Sequence, residues 1–127
     1  MNDREQIALL RIIPSVGCGP QELTIALVQL NGSFLVDVQD SNEFSNRKRK
    51  RWRVALNSTD VQQQIIKLKQ ASVPAFPVSP DVCDGEYIEL TIKGEMSTLT
   101  LGWWTLHPEG AEEVAAFANW LREQARQ

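Results

Sequence analysis

A chain of 127 residues with 43% hydrophobic and 23% charged side chains has the composition of one globular domain, residues 1–127, and lies outside the disordered range. Cys18 and Cys83 are distant from each other and fit neither a Cys-x-x-Cys nor a Cys/His spacing, which excludes a disulfide-stapled secreted scaffold and points to a reducing cytosol. The net charge of −3 is uneven: Arg47, Lys48, Arg49, Lys50, Arg51 and Arg53 hold six of the thirteen basic residues, leaving seven basic against sixteen acidic elsewhere.

The opening segment MNDREQIALLRIIP places acids ahead of a short apolar run, the reverse of a secretory signal, and no apolar run approaches the ~20 residues of a membrane-crossing helix. Residues 6–13 (QIALLRII) are apolar on both alternating faces apart from Arg11, as in a strand covered on two sides or lying mid-sheet. Pro14 stops that strand, and the turn-rich 15–20 segment follows. Residues 23–30 and 33–39 flank Asn31-Gly32, a signal for a two-residue hairpin because both central residues must accept positive φ. Residues 22–30 also admit a helical reading through Leu23, Leu27 and Leu30; the turn favours the strand. In the second arm Phe34, Val36 and Val38 share one face and Leu35, Asp37 and Gln39 the other.

Residues 40–50 read as an exposed loop. Trp52, Val54 and Leu56 alternate with Arg51, Arg53 and Ala55, which predicts a fourth strand. Ser58, Thr59 and Asp60 offer capping oxygens to a helix that carries Val61, Ile65 and Leu68 on one face and reaches about Ala71 before Pro74 and Pro77. The proline-rich 73–80 stretch reads as an extended connector. Residues 86–93 alternate, with Ile88, Leu90 and Ile92 facing one way and Tyr87, Glu89, Thr91 and Lys93 the other. After the Lys93-Gly94-Glu95 turn, residues 97–104 return with Leu99, Leu101 and Trp103 inward. Pro108-Glu109-Gly110 opens a last helix whose Val114, Phe117, Ala118 and Leu121 form an apolar stripe, with acids at its positive end. The expected fold is α+β, a mainly antiparallel sheet with two helices in a single domain.

No catalytic, metal or cofactor motif accompanies this pattern. His107 has no neighbouring Ser, Cys or acid in a known arrangement, and reads as a surface residue. Asp81, Asp84, Glu86 and Glu89 form an acidic group around Asp84-Gly85; the spacing lacks the regular oxygens of a calcium loop, and the group reads as turn chemistry or as a solvated surface for cations of a partner. The basic run with Trp52 suggests nucleic-acid binding, in which cations neutralise phosphates and the indole stacks on a base. The commoner alternative is a solvated loop whose Trp52 turns into the core. Trp103 and Trp104 leave on opposite faces, so Trp104 needs cover from other structure or from a partner, and Trp120 on the shoulder of the last helix faces the same choice.

The C-terminal portion, with Val82-Cys83-Asp84-Gly85-Glu86-Tyr87-Ile88-Glu89-Leu90, then Trp103-Trp104 and an acidic-opening helix, resembles bacterial immunity proteins encoded with contact-dependent growth-inhibition toxins. The resemblance spans about the last 45 residues. It implies a cytoplasmic antitoxin without enzymatic activity or cofactor, which binds a cognate toxin domain. A toxin that cuts nucleic acid tends to be basic, so acids here would steer it. The expected partner-binding residues are Asp81, Asp84, Glu86, Glu89 and Trp104; the alternative nucleic-acid surface is Arg47, Lys48, Arg49, Lys50, Arg51, Trp52 and Arg53.

Overall fold

In the computed structural model, residues 4–14, 22–41, 50–75, 85–94 and 96–126 are described. Asn31 and Gly32 both adopt positive φ, 52° and 86°, which matches the right-handed twist of the strands they join. That turn links β2 (Leu23–Leu30) to β3 (Ser33–Asp40), in register from Leu30 opposite Ser33 to Leu23 opposite Asp40, which settles residues 23–30 as strand. β1 (Arg4–Pro14) lies between β2 and β5 (Glu86–Lys93), the mid-sheet position that its two apolar faces predict. β4 (Arg51–Ala55) adds to the free side of β3, and β6 (Thr98–Trp104) to that of β5. The result is an α+β fold with a six-stranded antiparallel sheet in the order β4-β3-β2-β1-β5-β6.

Both helices serve one face of this sheet. From α1 (Ser58–Lys69) Val61 enters the core, and from α2 (Glu112–Gln124) so do Val114, Ala115, Phe117, Ala118 and Leu121. They meet Ala8, Leu10 and Ile12 of β1, Ile25 and Leu27 of β2, Phe34, Val36 and Val38 of β3, Leu90 of β5 and Trp103 of β6. These are alternate residues of each strand, so the pleat alone selects them. Ile7 has no partner in β2: the register slips between Gln6 and Ala8, a bulge that turns Ile7 toward the core as well.

The helix starts differ from the sequence expectation. Asn57, not Ser58 to Asp60, caps α1; its extended backbone lets the side-chain oxygen accept from the amides of Thr59 (2.9 Å) and Asp60 (3.2 Å). Pro108 to Gly110 precede α2 rather than open it. The Ala111 amide donates to the Pro108 carbonyl at 3.1 Å and Gly110 has φ 88°, so the chain turns before Glu112 begins the helix. Glu112 and Glu113 alone then stand in the positive first turn.

Trp52 fastens the far edge of the sheet to the last helix. Its buried indole Nε1–H donates to the Ala125 carbonyl at 2.8 Å, and Ala125 follows directly after α2. Replacing Trp52 with Phe keeps most of the apolar contact but strips a buried carbonyl of its donor. Trp52→Phe is expected to lower unfolding free energy by about 1–3 kcal/mol in a urea titration, with the folded-state circular dichroism unchanged.

Candidate functional site

The face opposite the helices has no helix over it among the described residues, and its charges are organised in pairs. At its centre is Asp37, only 7% exposed, on β3. Arg53 lies directly opposite on β4 and reaches its Oδ2 at 3.7 Å; Arg51, two residues along, reaches the same oxygen at 3.1 Å. Arg4 arrives from the other side at 3.5 Å. Arg4 is opposite Leu30 and Asp37 opposite Ala26, so the side chain of Arg4 must cross β2 at Val28. This crossing accounts for Val28 being 1% exposed on a face that no described helix covers. Three half-exposed guanidiniums against one carboxylate leave this end of the face with a cationic excess.

A second group is built on Arg11. Glu89 is opposite it on β5 and accepts from Nη1 at 3.0 Å, while Glu22, just before β2, takes Nε and Nη2. Hydrogen bonds to Glu22 first, then to Glu89, push the Arg11 guanidinium above its ordinary pKa, so it is charged at every accessible pH. Hydrogen bonding to Asp37 raises Arg51 likewise.

The third element is aromatic. Tyr87 and Trp104 are opposite each other on β5 and β6, with ring centroids 5.2 Å apart and planes tilted by 49°. A Cβ at Gly102 would collide with the Tyr87 hydroxyl, so the phenol lies across the β6 backbone where only glycine leaves room. Trp104 remains 39% exposed, whereas Trp103, leaving on the other side, is buried in the core. Trp120 is partly buried and stacks on Phe117 at 5.8 Å, which answers its ambiguity in favour of packing.

The expected acidic group is not one surface. Glu86 and Glu89 differ by three positions, and strand alternation sends them to opposite faces. Glu86 faces the helices and takes a bidentate pair from Arg122 of α2, at 2.9 and 2.8 Å; Glu89 is held by Arg11. Both were expected as solvated acids free for a partner, and both are instead engaged inside the fold. Asp81 and Asp84 lie outside the described residues, as do Arg47, Lys48, Arg49, Cys18 and Cys83. Of the basic run, Lys50 is exposed at the start of β4, Arg51 and Arg53 stand on the open face, and Trp52 points the other way into the core. The base-stacking role for Trp52 is therefore corrected: its ring is buried and its N–H is committed to Ala125.

His107 is half-buried in the turn before α2. Nearby Glu112 accepts from the Gly110 amide at 3.3 Å; this contact and its own backbone N–H hold its carboxyl below the usual glutamate range, with a smaller contribution from His107. Among the described residues no group of three or more His, Cys, Asp or Glu side chains is placed to hold a metal ion, and no helix is long and apolar enough to cross a membrane. Sequence reasoning missed Arg4, Arg11, Glu22 and Asp37. The available signal was Arg11 itself, a charge inside an otherwise apolar mid-sheet strand that requires a partner. No protein-family model and no curated protein matches this chain.

Neutralising Asp37 removes the single anion that three guanidiniums share. Asp37→Asn is expected to destabilise the protein by about 1–3 kcal/mol, less than the ~3–5 kcal/mol for a fully buried pair because the arginines remain half-hydrated. The loss should shrink at high salt, where arginine repulsion is screened; urea titrations at two ionic strengths check both points.

Proposed function

We propose that this chain is a non-enzymatic, immunity-type protein of the bacterial cytoplasm that binds a cognate toxin domain through the open face of its sheet. The observation that carries the reading is the Tyr87–Trp104 pair, held on that face with Trp104 39% exposed. Rings fixed by a sheet lose little conformational freedom when a partner buries them. Trp, Tyr and Arg are the side chains that dominate binding energy at protein interfaces, and Arg4, Arg11, Arg51 and Arg53 share the face with the aromatic pair. The C-terminal resemblance supplies the class of partner.

The electrostatic part of the reading shifts accordingly. Steering toward a basic toxin no longer rests on Glu86 and Glu89, which are ion-paired. It rests on the net charge of −3 and on the exposed acids Asp60, Glu109, Glu112 and Glu113 at or just before the helix starts.

The test is co-purification with the product of the adjacent gene, together with protection of cells from that product. Trp104→Ala should weaken the complex roughly 30-fold or more, the ~2 kcal/mol expected of an aromatic anchor, while the thermal midpoint stays close to that of the parent. Undiminished affinity in the variant, or neither complex nor protection in the parent, would refute the proposal.

One observation favours a second reading: the cationic excess around Asp37 suits a polyanion, with Arg51 and Arg53 of the basic run as phosphate contacts and without Trp52. Single-stranded RNA or DNA should then bind with a steep salt dependence. Arg51→Gln with Arg53→Gln should flatten the salt slope by roughly 1.5–2. Absence of binding at low salt would dispose of this reading.

A further inference from the structure

Two helices do not cover six strands evenly. Where α1 ends, between it and the β5–β6 end of the sheet, a gap of about 270 Å³ remains, lined by Ile7, Ile65, Leu68, Val73, Ile92 and Leu99 among others. Leu99 shows that the gap is real surface: it belongs to the inward-facing series of β6, yet it is 44% exposed because nothing described lies over it. Ile7, the bulge residue of β1, is aimed here by the register slip that removes its cross-strand partner. The volume lies between a ~150 Å³ cavity that admits benzene and the ~300 Å³ lower end of ordinary ligand sites. It therefore suits a single short chain or one ring and is too small for a nucleotide.

The border of the gap is cationic. Lys69 stands one helical turn after Ile65, on the same side of α1, and Lys93 borders the gap from the end of β5. Neither has an ion-pair partner among the described residues. The carbonyl end of α1 contributes roughly half a negative charge nearby, which Lys67 and Lys69 together more than offset. No acidic side chain is among the lining residues. An apolar interior with an unopposed ammonium rim is complementary to an amphiphile of opposite polarity.

We propose that this gap is a binding site for a short aliphatic carboxylate, with its chain against Ile7, Ile65 and Leu99 and its carboxylate at Lys69 and Lys93. The site lies on the helix side of the sheet, away from the Tyr87–Trp104 face, so it stands or falls independently of the toxin-binding reading.

The test uses the full chain with methyl labelling and sodium octanoate below its micelle concentration as the probe, with octanol as the uncharged comparison. Octanoate should saturate as one site and shift the methyls of Ile7, Ile65, Ile92 and Val114. Ala71→Phe, which places a ring in the lining at a loop position, should abolish those shifts while leaving the rest of the spectrum folded. Lys69→Gln with Lys93→Gln should weaken octanoate roughly tenfold, the sum of two exposed charge contacts, and leave octanol unchanged. The proposal is overturned if the pocket methyls do not respond, if Ala71→Phe binds as well as the parent, or if octanoate loses no affinity in the double variant.

Discussion

Successive side chains of a β-strand leave on opposite faces, and once one face of a six-stranded sheet is given to helices, that alternation dictates what the other must carry. β1, β2 and β3 commit every second residue to the core under α1 and α2. Their remaining residues stand on a surface that must be compatible with water but that the chain has furnished with Ala26, Val28 and a nearly buried Asp37. The fold reconciles these by laying arginines across the sheet. Arg4 spans three strands, screening Val28 with its stem and meeting Asp37 with its head. One long side chain thus serves hydrophobic cover and charge compensation together.

The same alternation governs how charge is distributed. Acids that are neighbours in sequence, Glu86 and Glu89, become partners of different layers: one ties β5 to α2 through Arg122, the other ties β5 to β1 through Arg11. The carboxylates of the sheet are used as internal ties, while acids without such ties gather toward the helix starts, where the helix dipole favours them. An overall negative charge and a locally cationic sheet face coexist for this reason.

Aromatic residues divide by the same rule. Trp103 and Trp104 are consecutive, yet one completes the core and the other builds surface with Tyr87. Trp52 closes the structure at the opposite edge, tying β4 to the C-terminal end of α2, so the two outermost strands meet the helical layer through tryptophans of different function. Between these anchored edges the helix layer runs short of the β5–β6 end. The exposed Leu99 and the apolar gap beside it are the geometric consequence of covering a wide sheet with helices of twelve and thirteen residues.

Much of the architecture was legible in the residues alone. Asn31-Gly32 specified a hairpin because few other pairs tolerate two positive φ values, the two-residue period marked the core faces of β3, β5 and β6, and the doubly apolar β1 announced a central strand. Local sequence determines these features because they depend on the backbone preferences and spacing of adjacent residues. Which acid meets which arginine was decided only by the tertiary structure. Arg11 and Glu89 are 78 positions apart, Glu86 and Arg122 36, and such pairings follow from strand order and register, to which no short-range pattern is sensitive. The burial of Trp52 and the gap at Leu99 belong to the same class, since each depends on where a helix distant in sequence comes to rest upon the sheet.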